Sequence, residues 1–291
     1  MPDVSVIIPC YRAGRFLARF CASLRAQTYS GGWEAVFVDD GDDGCDYGPV
    51  LAEGFRLIRR KNGGAAAARN TGLDSATGGI ILFADPDDLM DPDWMSHLVE
   101  SVEGVDLGWC GFRLRGGESG PTTEMAPPDP GAIYRGEDVK RRVRKAVFGY
   151  RVRDILRWWT PKRMWRGCGR EFGNVWAKAF RRTVIGDLRF DETLVTYDDA
   201  MFLSAYAERA KSMRVSSASD YEYIVRPEGV MSSGLSKRKA SVKFTMRDAR
   251  RRLDPGMKWW RGTYLLSAVE LLRDAGVAAA WRYLTFKGEK K

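Results

Sequence analysis

The first hundred residues alternate between two patterns of hydrophobic and polar positions. Short apolar runs, many of them β-branched, predict four strands, over residues 4–8, 35–38, 55–58 and 79–83, the first of them buried. Apolar side chains recur at helical spacing from Phe16 to Leu24, and an alanine-rich stretch over 65–76 also favours a helix. Strands that alternate with helices form a mostly parallel sheet covered on both faces, so we predict a Rossmann-like α/β fold.

The chain beyond residue 115 has a less regular pattern. The segment from Gly116 to Gly131 is rich in Gly, Pro, Thr and Glu, which predicts a loop or a mobile connection. Tyr221–Val225 is typical of a last strand. The segment from Arg135 to Arg170 carries thirteen Lys/Arg residues and three tryptophans. This composition suits an anionic membrane surface, or else the tryptophans pack helices whose arginines face solvent; both interpretations stay open.

Two strands of the predicted sheet end in acidic residues, at Asp39-Asp40 and at Asp85-Pro86-Asp87-Asp88. In such sheets ligands bind beyond the carboxyl ends of the strands. Like charges at short range are unfavourable without a cation, and Mg²⁺ or Mn²⁺ binds carboxylate oxygens together with the phosphate oxygens of a ligand. The acids therefore indicate either a metal–nucleotide site or two solvated turns, the second capping the next helix through Asp91 or Asp93.

The composition of the chain limits the classes of binding partner and the cellular compartment that we expect. The net charge of +9, from 47 basic and 38 acidic residues, favours anionic partners such as nucleotide phosphates, nucleic acid or an acidic membrane surface. The five cysteines are scattered and form no C-x-x-C pair, which suits reduced thiols better than disulfides or a zinc site. We expect a cytoplasmic protein, because the N-terminus has no signal-like stretch and no segment approaches the ~20 apolar residues of a membrane span.

A family resemblance is carried by six short motifs in a fixed order. They are Val4-Ser5-Val6-Ile7-Ile8-Pro9-Cys10-Tyr11, Ser23-Leu24-Arg25-Ala26-Gln27-Thr28-Tyr29, Phe37-Val38-Asp39-Asp40-Gly41, Asn62-Gly63-Gly64, Ala68-Arg69-Asn70-Thr71-Gly72-Leu73 and Phe83-Ala84-Asp85-Pro86-Asp87-Asp88. This ordered set resembles the opening of the family 2 glycosyltransferases with the GT-A fold. The resemblance resumes at Asn174–Arg182, Phe190–Glu192 and Thr196–Asp199. It implies an inverting enzyme that moves a sugar from a nucleotide-diphosphate sugar to an acceptor hydroxyl.

The resemblance implies nucleoside contacts for residues at the ends of the first two strands. Pro9, Tyr11 and Asp39 resemble the family's contacts to the nucleobase and the ribose. Arg69 would lie near the nucleotide, although a structural role on its helix fits equally well. The family usually has Asn after the tyrosine, where this chain has Arg12, a departure that we expect to leave the chemistry untouched.

The same resemblance assigns roles to two groups of acids. Asp85 and Asp87 resemble the D-x-D pair, in which Asp85 faces the ribose or donor sugar and Asp87 binds Mn²⁺ or Mg²⁺. Asp88 would support this pair indirectly, without binding the ligand or the metal itself. Asp198 and Asp199 stand where the family commonly has Glu-Asp, and Asp199 resembles the general base that deprotonates the acceptor. As an alternative, adjacent acids at a helix start are favourable through the helix dipole alone.

The expected donor is a UDP-sugar, and the expected acceptor is a glycan or glycolipid of cell-surface or exopolysaccharide synthesis. We expect no nucleic-acid partner, and we leave open a peripheral contact with the inner membrane surface and a homodimer formed through the C-terminal helices. The predicted GT-A domain covers residues 1–235, with a donor half over 1–115 and an acceptor half over 116–235. A helical basic extension follows over 236–291.

Two other functions remain as alternatives. A sugar nucleotidyltransferase should have a Gly-rich, Arg-containing loop after the first strand, where this chain has Pro9-Cys10-Tyr11. An inactive nucleotide-sugar-binding or scaffold protein should lack the base or metal acids, which are present. No G-x-G-x-x-G follows the first strand, which disfavours a dinucleotide oxidoreductase. The single histidine, His97, is expected to be a surface or packing residue rather than a ligand.

Overall fold

The computed structural model describes residues 2–127, 129–148, 173–194 and 197–226, together with four isolated residues, Ala268, Leu272, Trp281 and Leu284. The predictions for the extension over 236–291 therefore fall almost entirely outside the described residues. The same holds for most of the basic segment, including its three tryptophans. Within the described ranges, no helix has the length and apolar character that crossing a membrane requires.

The first half of the main sheet consists of four parallel strands. Their bounds are Val4–Cys10 (β1), Trp33–Asp39 (β2), Arg56–Arg59 (β3) and Ile80–Phe83 (β4), in the spatial order β3-β2-β1-β4. Every residue of β1 and β4 is buried, as expected for central strands covered on both faces. The four predicted strands are confirmed, with ends that differ by one or two residues.

The second half of the main sheet has mixed strand directions. Its strands are Leu107–Trp109 (β6), Ile133–Arg135 (β9), Lys178–Arg181 (β10) and Ser212–Val215 (β11). β10 lies antiparallel between β4 and β6, and the sheet continues from β6 to β11 and then β9. The eight strands thus join residues from both halves of the predicted GT-A domain in a single sheet.

The fold also contains a second, smaller sheet of four strands. Its strands are Leu89–Met90 (β5), Phe112–Gly116 (β7), Thr122–Met125 (β8) and Tyr221–Val225 (β12), in the order β5-β12-β7-β8. The prediction of a loop over 116–131 was wrong at β8, which pairs antiparallel with β7. Three of the four residues of β8 are exposed, so the strand lacks the apolar run that would have revealed it.

The helices cover both faces of the main sheet. Their bounds are Gly14–Arg25 (α1), Gly48–Ala52 (α2), Ala65–Ser75 (α3), Trp94–Val102 (α4), Glu137–Phe148 (α5), Arg182–Ile185 (α6) and Asp198–Arg209 (α7). The apolar faces of α1 and α4 pack in one core cluster, and those of α3, α5 and α7 pack in another. The two predicted helices correspond to α1 and α3, which confirms that part of the pattern.

Two packing features fix the helices that carry the candidate site. A Cβ atom at Gly72 would lie 2.3 Å from Ile7 Cγ2, so only glycine lets α3 approach β1 this closely. On α7, the Phe202 ring stacks on the Phe190 ring with a centroid distance of 4.0 Å, and both rings contact Phe83 of β4. These contacts hold the start of α7 against the strand that ends in the acidic segment.

Candidate active site

The predicted nucleoside contacts lie at the carboxyl ends of β1 and β2. Pro9 is buried near the end of β1, whereas the Tyr11 side chain is 49 % exposed. Asp39 is the last residue of β2, and its Oδ1 accepts the backbone N–H of Asp42 at 2.9 Å. A buried carboxylate beside an exposed aromatic ring provides a hydrogen-bond acceptor and a stacking surface for a nucleoside.

Arg12 follows Tyr11 and has a backbone conformation that would also suit Asn, the residue that the resemblance leads us to expect here. Its φ of 54° is in the left-handed region, which Asn adopts more readily than other non-glycine residues. The backbone N–H of Arg12 donates to Asp42 Oδ2 at 2.8 Å, which helps to hold this conformation. Its guanidinium carbon lies 5.2 Å from the centre of the Tyr11 ring, so the substitution places a cation beside the candidate base contact.

Asp40 has a structural role that separates it from Asp39. Its side chain is buried, forms an ion pair with Arg60, and accepts the N–H groups of Gly63 and Gly64, the latter at 2.7 Å. These bonds fix the turn that leads into α3, where Gly64 has a φ of +91°. Asp40 therefore organises the start of the helix that carries Arg69.

Arg69 connects the two groups of candidate acids. Its Nη1 donates to Asp198 Oδ2 at 2.7 Å and its Nη2 donates to Asp85 Oδ1 at 3.1 Å, while the residue is only 7 % exposed. Burial favours the neutral guanidine, but Asp198, Asp85 and Asp199 outweigh it and raise the pKa of Arg69 above its ordinary value. Arg69 thus links α3 by ion pairs to the acidic segment after β4 and to the start of α7.

The paired acids at the start of α7 have different surroundings. Asp198 is buried and bound to Arg69. Asp199 is partly exposed, and its Oδ1 accepts the N–H of Ala200 at 2.7 Å. Burial, followed by the charge of Asp198, raises the pKa of Asp199 to about 7. Asp199 is thus a carboxylate that changes protonation near neutral pH, as a general base requires.

The acidic segment after β4 divides its side chains among three environments. Asp85 pairs with Arg69, as described above. Asp88 is fully buried, where it accepts the hydroxyl of Tyr221 and the N–H of Ile224, both at 2.9 Å. Burial raises the pKa of Asp88 well above its ordinary value. Asp88 therefore holds the segment against β12.

Asp87 is the most accessible of the three acids. Its side chain is 41 % exposed, and its Oδ2 accepts Nη1 of Arg226 at 2.9 Å. Burial and the charge of Asp85 raise the pKa of Asp87. Within the part of the chain that the structure describes, no group of three or more His, Cys, Asp or Glu could hold a metal alone. Mg²⁺ commonly binds one or two protein carboxylates together with ligand phosphates, and Asp87 fits a site of that kind.

Two residues that sequence reasoning missed surround Arg226. Glu118, between β7 and β8, accepts hydrogen bonds from Arg226 and from Arg19 of α1. Arg19 stands among other polar residues of an amphipathic helix, and Glu118 lies in a segment predicted as a loop. Neither position has a local signal that distinguishes it from an ordinary solvated charge.

Lys178 on β10 is a further residue without a predicted role. It is fully buried, its Nζ donates to the backbone oxygen of Asn174 at 2.6 Å, and it lies 4.4 Å from the centre of a Trp109 ring. Burial lowers the pKa of Lys178 to about 7, although Asp199 acts in the opposite direction. His97, by contrast, is on α4, where its Nδ1 lies 2.7 Å from Asp220 Oδ2.

Known proteins are similar to this chain along much of its length. Residues 5–157 match the model of the family described as glycosyl transferase family 2. The uncharacterized glycosyltransferase YibD of Escherichia coli is 29 % identical over 241 residues, which cover 78 % of this chain and 62 % of YibD. The uncharacterized glycosyltransferase EpsJ of Bacillus subtilis is 29 % identical over 229 residues, covering 73 % of this chain and 59 % of EpsJ. The chain thus spans about three fifths of the length of these relatives.

Solved structures establish the GT-A fold. A structure of residues 1–349 of Staphylococcus aureus TarS in complex with UDP-GlcNAc has a TM-score of 0.58 and 19 % identity, covering 97 % of this chain and 70 % of that one. The mannosyltransferase PcManGT of Pyrobaculum calidifontis, in complex with GDP-Man and Mn²⁺, has a TM-score of 0.52 and 17 % identity, covering 98 % and 79 %. At these identities the likeness concerns the fold.

Proposed function

The chain belongs to glycosyl transferase family 2, and from that premise we propose that it transfers a sugar from a nucleotide-diphosphate sugar to an acceptor hydroxyl, with inversion at the anomeric carbon. The observation that carries this proposal is the double ion pair of Arg69. By binding both Asp85 and Asp198, Arg69 brings the strand end of the donor site next to the carboxylate of Asp199. A donor sugar and a base are then neighbours, as a direct displacement requires.

The donor's nucleoside would bind at the ends of β1 and β2. Tyr11 offers an exposed ring for the base, and Asp39 offers a carboxylate for the N–H of a base or the hydroxyls of a ribose. Asp85 would face the ribose or sugar. A UDP-sugar is the preferred donor, and the UDP-GlcNAc bound by TarS supports this choice, whereas the GDP-Man bound by PcManGT keeps a guanine nucleotide as the next candidate.

Asp87 would hold Mn²⁺ or Mg²⁺ together with the donor's phosphates, since its side chain is the accessible acid of the segment. When bound, the ion would supply positive charge that stabilises the departing nucleotide diphosphate. Arg226 supplies a second positive charge at the same acid. The Mn²⁺ bound by PcManGT supports this part of the proposal.

Asp199 would act as the general base. Its pKa near 7 leaves a large ionised fraction at neutral pH while keeping appreciable basicity, which is the best compromise for proton removal from a hydroxyl. Asp198 already accepts a hydrogen bond from Arg69, so it is the less suitable of the two acids as a general base. The acceptor would be a glycan or glycolipid hydroxyl placed beside Asp199. No covalent enzyme intermediate is needed.

A thermal-shift screen tests the function most directly. The protein is heated with UDP-, GDP- and dTDP-sugars, with and without Mn²⁺, and the preferred donor is then tested for turnover to the free nucleoside diphosphate. We expect one donor to raise the melting temperature, and the Mn²⁺-dependent part of the rise to vanish in Asp87→Ala. The control is Asp93→Ala, which removes another exposed acid. Indifference to every nucleotide sugar would contradict the proposal.

A further inference from the structure

Arg19, Arg226 and Glu118 form a charge cluster beside Asp87, and the donor chemistry above uses Arg226 of this cluster but neither Arg19 nor Glu118. Arg226 follows β12, is 7 % exposed, and uses all three of its nitrogens as donors. Its Nη1 donates to Asp87 Oδ2 and to the Ile224 oxygen, at 2.9 and 3.1 Å. Its Nε and Nη2 both donate to Glu118 Oε1, at 3.3 and 3.2 Å.

Arg19 reaches the same carboxylate from α1. Its Nη1 forms an ion pair with Glu118 Oε2, and its Nη2 donates to Glu118 Oε1 at 3.2 Å and to the backbone oxygen of Asp87 at 3.1 Å. The Asp87 backbone oxygen also accepts Nη2 of Arg226. Glu118 is therefore the anion shared by two guanidinium groups that converge on one point of the acidic segment.

The two arginines are held in place without Glu118. The Phe16 ring lies under both, with its centre 5.3 Å from the guanidinium carbon of Arg19 and 4.5 Å from that of Arg226. Both guanidinium groups also have the backbone bonds described above. Glu118, in contrast, is 51 % exposed on the connection between β7 and β8, so it is the most exposed member of the cluster.

We propose that Arg19 and Arg226 form an oxyanion site for the donor's diphosphate, and that Glu118 occupies this site in the donor-free protein. The edge of a guanidinium that binds a carboxylate also fits a phosphate oxygen, so the two anions compete for the same donors. The binding of the diphosphate displaces Glu118, and the return of Glu118 helps to release the nucleoside diphosphate product. The identity of this ligand rests on the proposed function, whereas the anion site itself does not.

The test compares the affinities of Glu118→Gln and the unmodified protein for inorganic pyrophosphate and for UDP, by calorimetry without divalent metal. Glutamine keeps the shape and removes the competing charge. An exposed ion pair contributes about 0.3–1 kcal/mol, and two pairs are lost here, so we expect pyrophosphate to bind about 3- to 30-fold more tightly. Arg19→Gln should weaken binding several-fold, and the double variant should lose the gain.

Glu124→Gln is the matched control, because Glu124 is an exposed acid on β8 of the same hairpin. It changes the net charge equally, and its pyrophosphate affinity should stay within about twofold of the unmodified protein, since salt screens distant charges. An affinity that is unchanged or weaker in Glu118→Gln overturns the proposal. So does an equal gain in both variants, or a failure of pyrophosphate to bind to either.

The outcomes also separate this inference from the proposed function. Tighter pyrophosphate binding in Glu118→Gln, without any nucleotide sugar being bound or turned over, keeps the anion site and contradicts the glycosyl transfer. Nucleotide-sugar turnover with no effect of Glu118→Gln on diphosphate affinity supports the glycosyl transfer and contradicts the anion site.

Discussion

Replacing Asp199 by Asn isolates the proposed base, because the amide keeps the shape of the side chain and removes its ability to accept a proton. We expect the rate of sugar transfer to fall by about 10²- to 10⁴-fold, which is the usual contribution of a positioned base. The affinity for the donor should stay within about twofold, since Asp199 has no direct bond to Arg69. In the unmodified protein, transfer should rise with pH and level off above about 7, as Asp199 ionises.

We expect the same substitution, Asp199→Asn, to increase the stability of the protein although it lowers the rate of transfer. Burial raises the pKa of Asp199 from an ordinary 3.8 to about 7, so between these pH values the folded protein keeps a proton that the unfolded chain has lost. The free energy of unfolding therefore falls as the pH rises through this window and is constant above it. The full difference corresponds to about 4 kcal/mol, at about 1.4 kcal/mol per pKa unit. Since Asp199 is partly exposed, we expect Asp199→Asn to be about 1–3 kcal/mol more stable at pH 8.

Urea unfolding at pH 4.5 and pH 8 measures this stability, and a coupled nucleoside-diphosphate assay measures transfer. The gain of Asp199→Asn should be present at pH 8 and largely absent at pH 4.5. Asp198→Asn is the control, because it breaks the ion pair with Arg69 and should be destabilising at pH 8. A variant of Asp199 that keeps normal transfer, or that is less stable at pH 8, would refute the reasoning.

Three further predictions concern substitutions of buried ionisable residues. Arg69→Met leaves Asp85 and Asp198 without their shared cation, so it should reduce the free energy of unfolding by about 3–5 kcal/mol and abolish transfer. Asp40→Ala removes the acceptor of two backbone N–H groups and should be destabilising by about 2–4 kcal/mol in urea unfolding. Lys178→Met should be stabilising by about 1–3 kcal/mol at pH 6, and this gain should shrink from pH 7 to pH 10, where the unmodified protein regains stability by deprotonating its buried amine.

The parallel half of the sheet could be predicted from the sequence because burial on both faces leaves a continuous apolar run. β1 and β4 have such runs, and both were found within two residues of their ends. β8 and β10 could not be found in this way. β8 is mostly exposed, and β10 begins with Lys178, a basic residue that is nevertheless buried, with Asn174 and Trp109 beside it.

The candidate site, like the sheet, could be predicted from the sequence only in part. Acids that follow a buried strand mark the site locally, so Asp39, Asp85 and Asp87 could be proposed from spacing and resemblance. Their partners come from distant parts of the chain, since Arg69 meets Asp198 across 129 positions and Arg19 meets Glu118 across 99. No local pattern encodes such pairings, because they depend on the order of strands and on the packing of helices against them.

These pairings also bear on how the proposed donor would bind. Asp85, Asp87 and Asp198 each have an arginine partner before any donor is present. The binding of the proposed diphosphate and cation would therefore exchange one set of charge pairs for another, and only the difference between the two sets would contribute to affinity. The arginines would keep their positions during this exchange, which favours stabilisation of the departing diphosphate over tight ground-state binding. Arg69 belongs to both the donor side and the base side, so it is the residue through which occupation of the first site should alter the basicity of the second.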